Sequence, residues 1–138
     1  MIALELPWPP KELSGHHNVH WRVLQPIKKR YRQWAHDAAL ATGASKIEGN
    51  DDIRVHATFY PPDLRTDRVN MPTRLKPYWD GIADALKVND RRFLPTYAFA
   101  EPVKDARVVI QIMPGEFHTI GAVAARVLDQ LAERMEAL

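Results

Sequence analysis

Cysteine is absent from this sequence, so disulfides and thiolate metal sites are excluded. No apolar run approaches the ~20 residues that a membrane span needs. The N-terminal stretch Met1-Ile2-Ala3-Leu4-Glu5-Leu6-Pro7 lacks the basic region and long apolar core of a signal peptide. A cytoplasmic location, with no membrane partner, is the expectation that follows. No glycine-rich phosphate loop and no Gly-x-Ser-x-Gly elbow occur, and Gly43-Ala44-Ser45 reads as a helix end. Internal repeats, low-complexity tracts and linkers are missing too.

What is present suits one globular domain with a modest core. The 138 residues are 46% hydrophobic and 26% charged, ordinary values for such a domain. The net charge of +2 says little, because the distribution of charge matters more than its sum. That distribution is uneven. Lys28, Lys29, Arg30 and Arg32 form one basic cluster and Arg65, Arg68 and Arg74 another, with Arg91 and Arg92 later. Clusters of this kind are commonly solvated surface, so a nucleic-acid partner needs a sharper signal.

Hydrophobic periodicity outlines the elements. Ile2 to Leu6 reads as a strand ended by prolines, and residues 11–25 as a long loop bearing His16, His17, His20 and Trp21. Helical spacing begins at Ile27 and continues through Tyr31, Trp34, Ala35, Ala38 and Ala41. Ile53 to Tyr60 alternates apolar and polar residues, as a half-buried strand does. A polar loop over 63–74 follows, then a helix marked by Trp79, Ile82, Ala83 and Leu86, with Pro77 acceptable only in its first turn. Residues 95–102 and 106–113 read as strands able to form a hairpin around Val103-Lys104-Asp105. From about Thr119, the residues Ile120, Val123, Ala124, Val127, Leu128, Leu131 and Met135 lie on one side of an amphipathic helix. The order β-α-β-α-β-β-α indicates a single small α+β domain, with a mixed sheet and helices on one face.

Five aspartates crowd around the second helix: Asp63, Asp67, Asp80, Asp84 and Asp90. Asp80 and Asp84 are four apart and share a helix face. Carboxylates brought together repel, and a hard divalent cation relieves the repulsion. Such a site can activate water against a phosphodiester. Exposed helix-surface acids paired with Lys76 and Lys87 are the plain alternative, worth ~0.3–0.5 kcal/mol per pair. Trp34 and Trp79 are expected in the core. Trp8 and Trp21 either stack on bases or pack under the proline turn. The histidines of the first loop suit loop surface or phosphate contact better than a metal cluster.

The segment Asp67-Arg68-Val69-Asn70, followed by Lys76, Asp80-Gly81 and Asn89-Asp90, resembles the motif of RusA-type Holliday-junction resolvases. Leu6-Pro7-Trp8-Pro9-Pro10 resembles the family's first strand and proline turn, and His20-Trp21-Arg22 a variant of it. The resemblance covers roughly residues 2–113, leaving the C-terminal helix (119–138) as an addition. It implies a homodimeric, magnesium-dependent nuclease (manganese being the alternative ion) that acts on four-way DNA junctions in recombination and repair, with phage association. Carried over residue by residue, it implies catalytic roles for Asp67, Asp80, Asp90 and Lys76. It makes Asp67, Asp80 and Asp90 the metal ligands, and assigns Asn70 to the motif asparagine. DNA contacts are expected from Asn70, Lys28, Lys29, Arg30, Arg32, Arg65, Arg68 and Arg74. One motif aspartate falls on Val69, which cannot bind metal. A DNA-binding relative that no longer cleaves is therefore the second expectation, and a small interaction module whose C-terminal helix docks a partner is the third. If the motif were extended, Val69 would point with Asp67 toward the acidic cluster, or else pack near Ile82 and Trp79.

Overall fold

A computed structural model describes residues 1–15, 18–113 and 120–137, with the backbone alone for 120–126. Among these residues four strands and three α-helices follow the expected order β-α-β-α-β-β-α: β1 (Ile2–Pro7), α1 (Trp21–Ala41), β2 (Ile53–Tyr60), α2 (Lys76–Leu86), β3 (Phe93–Phe99), β4 (Arg107–Met113) and α3 (Ile120–Glu136). The protein is a small α+β domain with a mixed sheet of order β1-β4-β2-β3. β4 runs antiparallel to both β1 and β2, whereas β3 runs parallel to β2.

Alternation makes one sheet face apolar. Ile53, Val55, Ala57 and Phe59 of β2 are buried, as are Val108, Ile110 and Ile112 of β4 and Leu4 and Leu6 of β1. The ladder sets these residues side by side, Val55 opposite Ile112 and Leu4 opposite Ile110. They form one core with Leu75, Tyr78, Trp79, Ile82 and Leu86. Arg54, His56, Thr58 and Tyr60 occupy the other, half-exposed face. The Tyr78 hydroxyl donates to the Pro7 carbonyl at 2.6 Å, which satisfies a phenol whose burial pushes its pKa up.

The expected hairpin of β3 and β4 does not form. The segment 100–106 crosses the end of β2 instead, with the Ala100 and Val103 amides donating to the Phe59 and Pro61 carbonyls at 2.9 Å each. β4 then pairs on the far side of β2 from β3. Pro95 lies within β3. Proline cannot donate to a ladder, and an edge strand is where a sheet tolerates it.

α1 begins at Trp21, six residues before the helical spacing becomes visible. His20 caps it, its Nδ1 accepting from the Arg22 amide at 3.1 Å. Pro26 sits inside the helix and forfeits the bond to the Arg22 carbonyl. The core face of α1 is Ala35 and Ala39. Trp34, expected in the core, is 41% exposed and leans on Tyr31 with ring centres 4.8 Å apart. Trp79 is buried as expected.

α1 and α2 pack tightly because Gly81 has no side chain. A Cβ there would stand 2.0 Å from the Arg32 carbonyl oxygen and 3.0 Å from the His36 amide nitrogen. Pro77 falls in the first turn of α2. Lys87 ends that helix in the left-handed region, φ 54°, and the Val88 amide donates back to the Ala83 carbonyl at 3.1 Å. From Val127 onward the apolar residues of α3 are exposed, while the side chains of Ile120, Val123 and Ala124 lie outside the described residues.

Candidate active site

Lys76 opens α2 and Asp80 follows one turn later on the same face. The Lys76 ammonium donates to Asp80 Oδ1 at 2.8 Å and also to Asp90 Oδ2. Asp90 is delivered by the tight end of α2. Lys87 reverses the chain, and Asn89 then caps a short 3-10 turn over Asp90–Arg92 by accepting from the Arg91 amide at 3.0 Å. The two half-buried carboxylates thus share one cation. Donation to Asp80 and Asp90 holds the Lys76 ammonium above its ordinary pKa, and the Lys76 bond holds the Asp90 carboxyl below its own.

Asp84, one turn beyond Asp80, is bound across the helix pair. Arg32 of α1 grips it with two bonds, Nε to Oδ2 at 2.7 Å and Nη2 to Oδ1 at 2.9 Å. The pairing lowers the Asp84 pKa and raises that of Arg32. Lys87, the partner that helix spacing suggested for Asp84, is displaced by this fork. Between α1 and the start of α2 runs a groove of about 780 Å³, lined by Pro26, Lys28, Lys29, Arg32, Lys76 and Pro77, with Asp80 also on its wall. Lys28, Lys29 and Arg30 are exposed and make no ion pair among the described residues.

Asp67 stands outside this arrangement. Among the described residues no three acidic or histidine side chains gather closely enough to hold a metal ion, so Asp80 and Asp90 meet without Asp67. The motif 67–70 is a turn and not an extended segment. Asp67 Oδ1 accepts from the Val69 and Asn70 amides at 3.1 and 3.4 Å, and Oδ2 accepts from the Asn70 side chain at 2.6 Å. The Met71 amide closes the turn on the Asp67 carbonyl at 2.9 Å. Val69 is carried to the tip and is 86% exposed, so it does not pack on Ile82 or Trp79.

The remaining candidates are scattered. Arg65 pairs with Asp63 at 2.9 Å. Arg68 lies over the Phe99 ring at 5.8 Å. Arg74 donates to the Pro9 carbonyl at 3.2 Å, and burial lowers its pKa. That bond ties the proline turn to the loop before α2. Trp8 packs edge-on against Phe59 at 6.0 Å, whereas Trp21 is 62% exposed. His16 and His17 lie outside the described residues. Sequence reasoning missed the work of Arg92, whose guanidinium donates to the carbonyls of Asp51, Ile47 and Glu48 at 2.8, 3.2 and 3.2 Å. It also missed Gly81 as the helix contact, although a lone glycine on the apolar side of a helix is a usable signal for close packing.

No family model matches the sequence. An uncharacterized protein of Xylella fastidiosa (strain Temecula1 / ATCC 700964) is 39% identical over 120 residues, spanning 83% of this chain and 77% of that protein. Among the described residues no helix is long and apolar enough to cross a membrane. With that identity carried over most of both sequences, the chain belongs to the family of the Xylella fastidiosa protein.

Proposed function

We propose that this protein is a magnesium-dependent endonuclease of the RusA resolvase type, acting on four-way DNA junctions as a cytoplasmic homodimer. The observation that carries the reading is the pair Asp80 and Asp90, drawn together on one ammonium at the end of a basic groove. Two carboxylates close enough to share a cation suit magnesium, which keeps several of its waters and takes one or two carboxylates. Manganese, another oxygen-seeking ion, suits the same pair. When bound, the ion would supply a polarised phosphate and an activated water. Asp80 and Asp90 would hold it, and Asp67 would join only if its turn opened.

The rest of the chemistry belongs to this chain's side chains. Lys76 neutralises the two carboxylates here. Its ammonium is within reach of a phosphate seated at the groove's end, where it would steady negative charge on the leaving oxygen. Lys28, Lys29 and Arg30 would contact the DNA backbone, and Arg32 holds α1 against α2 through Asp84. In a two-fold dimer, two such sites would face two strands of a junction.

A second reading is favoured by the motif loop. Asp67 is occupied within its own turn and Val69 adds no ligand, which suits a junction-binding protein that does not cleave. Junction cleavage with labelled four-way and linear DNA, at several magnesium and manganese concentrations, tests both. The nuclease reading expects metal-dependent cleavage of the four-way substrate that Asp90→Asn abolishes while binding persists. Junction-selective binding without cleavage under any of these conditions selects the second reading. Equal, weak affinity for both DNAs and no cleavage would overturn the two together.

A further inference from the structure

We infer that the groove between α1 and α2 takes a single strand of nucleic acid, with its phosphates along Lys28 and Lys29 and a base stacked on Trp21. The inference rests on the nuclease reading and specifies the form in which DNA reaches the site. Three observations carry it.

The groove is small and its floor is apolar. Its volume of about 780 Å³ falls in the ~300–1,000 Å³ range of small-ligand sites. That gives room for a short run of nucleotides. Pro26 and Pro77 line it, and lysine stems add methylene surface. Unpaired bases expose flat apolar faces that such a floor can cover, whereas a duplex keeps its bases stacked inside.

Charge runs along the rim. Lys28, Lys29, Arg32 and Lys76 face one carboxylate in the groove, Asp80. Arg32 and Lys76 are already bound to aspartates, so Lys28 and Lys29 carry the charge open to an anion.

An exposed tryptophan stands in line with the rim. Positions 21, 25, 28/29 and 32 recur at helical spacing and form one stripe along α1. Trp21, one turn before Gln25 of the groove wall, is 62% exposed. Its ring is positioned by His20, stacked at 5.9 Å, and by the Arg22 guanidinium at 5.5 Å. An aromatic platform next to a cationic track is how sequence-tolerant proteins hold single strands. An acidic peptide would use the lysines and gain nothing specific from Trp21. The strand's other end would lie at Lys76 and Asp80, where the carboxylate pair begins.

Fluorescence anisotropy with a labelled oligothymidylate of about 12 nucleotides, inside the ~4–16 range of single-strand sites, tests this. A duplex of the same length and a polyglutamate competitor serve as comparisons. Chelator is present throughout, so the result does not depend on cleavage. The single strand is expected to bind at least tenfold more tightly than the duplex. Trp21→Ala should weaken the single strand about tenfold, as loss of one stacked base does, while leaving the duplex unchanged, and Trp21→Phe should restore most of it. The double variant Lys28→Gln/Lys29→Gln should flatten the salt dependence by about 1.4 in log K against log salt, ~0.7 per phosphate contact on a single strand. These side chains are exposed, so the variants retain the fold. Duplex binding as tight as the single strand, polyglutamate competing as well as DNA, or indifference to Trp21→Ala each overturns the inference. Loss of the nuclease reading alone would instead appear as strand binding without any cleavage, and junction cleavage without strand binding would sink the inference alone.

Discussion

Replacing Gly81 by alanine should destabilise the protein even though alanine is the better helix former. In an exposed helix the change would add ~1 kcal/mol of stability. Here the new Cβ would stand 2.0 Å from the Arg32 carbonyl oxygen and 3.0 Å from the His36 amide nitrogen. Both are main-chain atoms of α1 and cannot rotate away. Restoring an ordinary contact of 3.4 Å requires α1 and α2 to part by about 1.4 Å along that line, the difference of the two distances. Overpacking of this kind costs ~1–3 kcal/mol, and a backbone clash belongs at the upper end. Subtracting the propensity gain leaves about 1–2 kcal/mol of net destabilisation. At roughly 3–5 °C per kcal/mol for a domain of this size, Tm should fall by about 3–10 °C. The displacement would also loosen the Arg32–Asp84 fork, whose bonds are 2.7 and 2.9 Å. Thermal denaturation followed by circular dichroism measures the first effect, and Gly15→Ala is the control. A Cβ at Gly15 would meet Thr73 at an ordinary 3.7 Å, so that variant should stay within ~0.5 kcal/mol of the parent. A Gly81→Ala protein as stable as the parent, or more stable, would refute the close-packing argument.

Lys87→Gly should raise Tm by about 3–5 °C, since φ 54° costs a residue with a Cβ ~1 kcal/mol; an unchanged or lower Tm in the same denaturation experiment would contradict this. Val69→Asp should leave stability within ~0.5 kcal/mol because the side chain is 86% exposed, and a large fall in Tm would show that the loop packs inward. Asp84 and Asp90 have folded-state pKa values held below the ordinary carboxylate range by Arg32 and Lys76. Their contribution is therefore present above the unfolded pKa of ~3.9 and is lost as pH falls through the folded values. Tm should be flat between pH 7 and about 5 and drop below about 4, with a shallower drop in Asp84→Asn; a decline that begins near neutrality would point to a different group.

Much of the fold was legible because the backbone imposes its own period on whatever it buries. The alternation from Ile53 to Tyr60 could face a core only as a strand, and Ile53, Val55, Ala57 and Phe59 are the buried set. Trp79, Ile82 and Leu86 likewise marked the inner side of α2, and Pro77 could sit only in its first turn. The i, i+4 spacing of Lys76 and Asp80 was enough to expect their contact. What the period does not record is which distant segment lies alongside. β4 inserts between β1 and β2 instead of turning back on β3, a choice made by the pairing of whole strands. The meeting of Asp90 with Lys76, and of Arg32 with Asp84, depends on where α2 ends and how closely Gly81 lets α1 approach. Asp67 shows the opposite case, where a local turn takes up a carboxylate that the family resemblance had assigned to the site. Ion pairs and strand order are long-range contacts, and their energy depends on a distance that only the assembled chain defines.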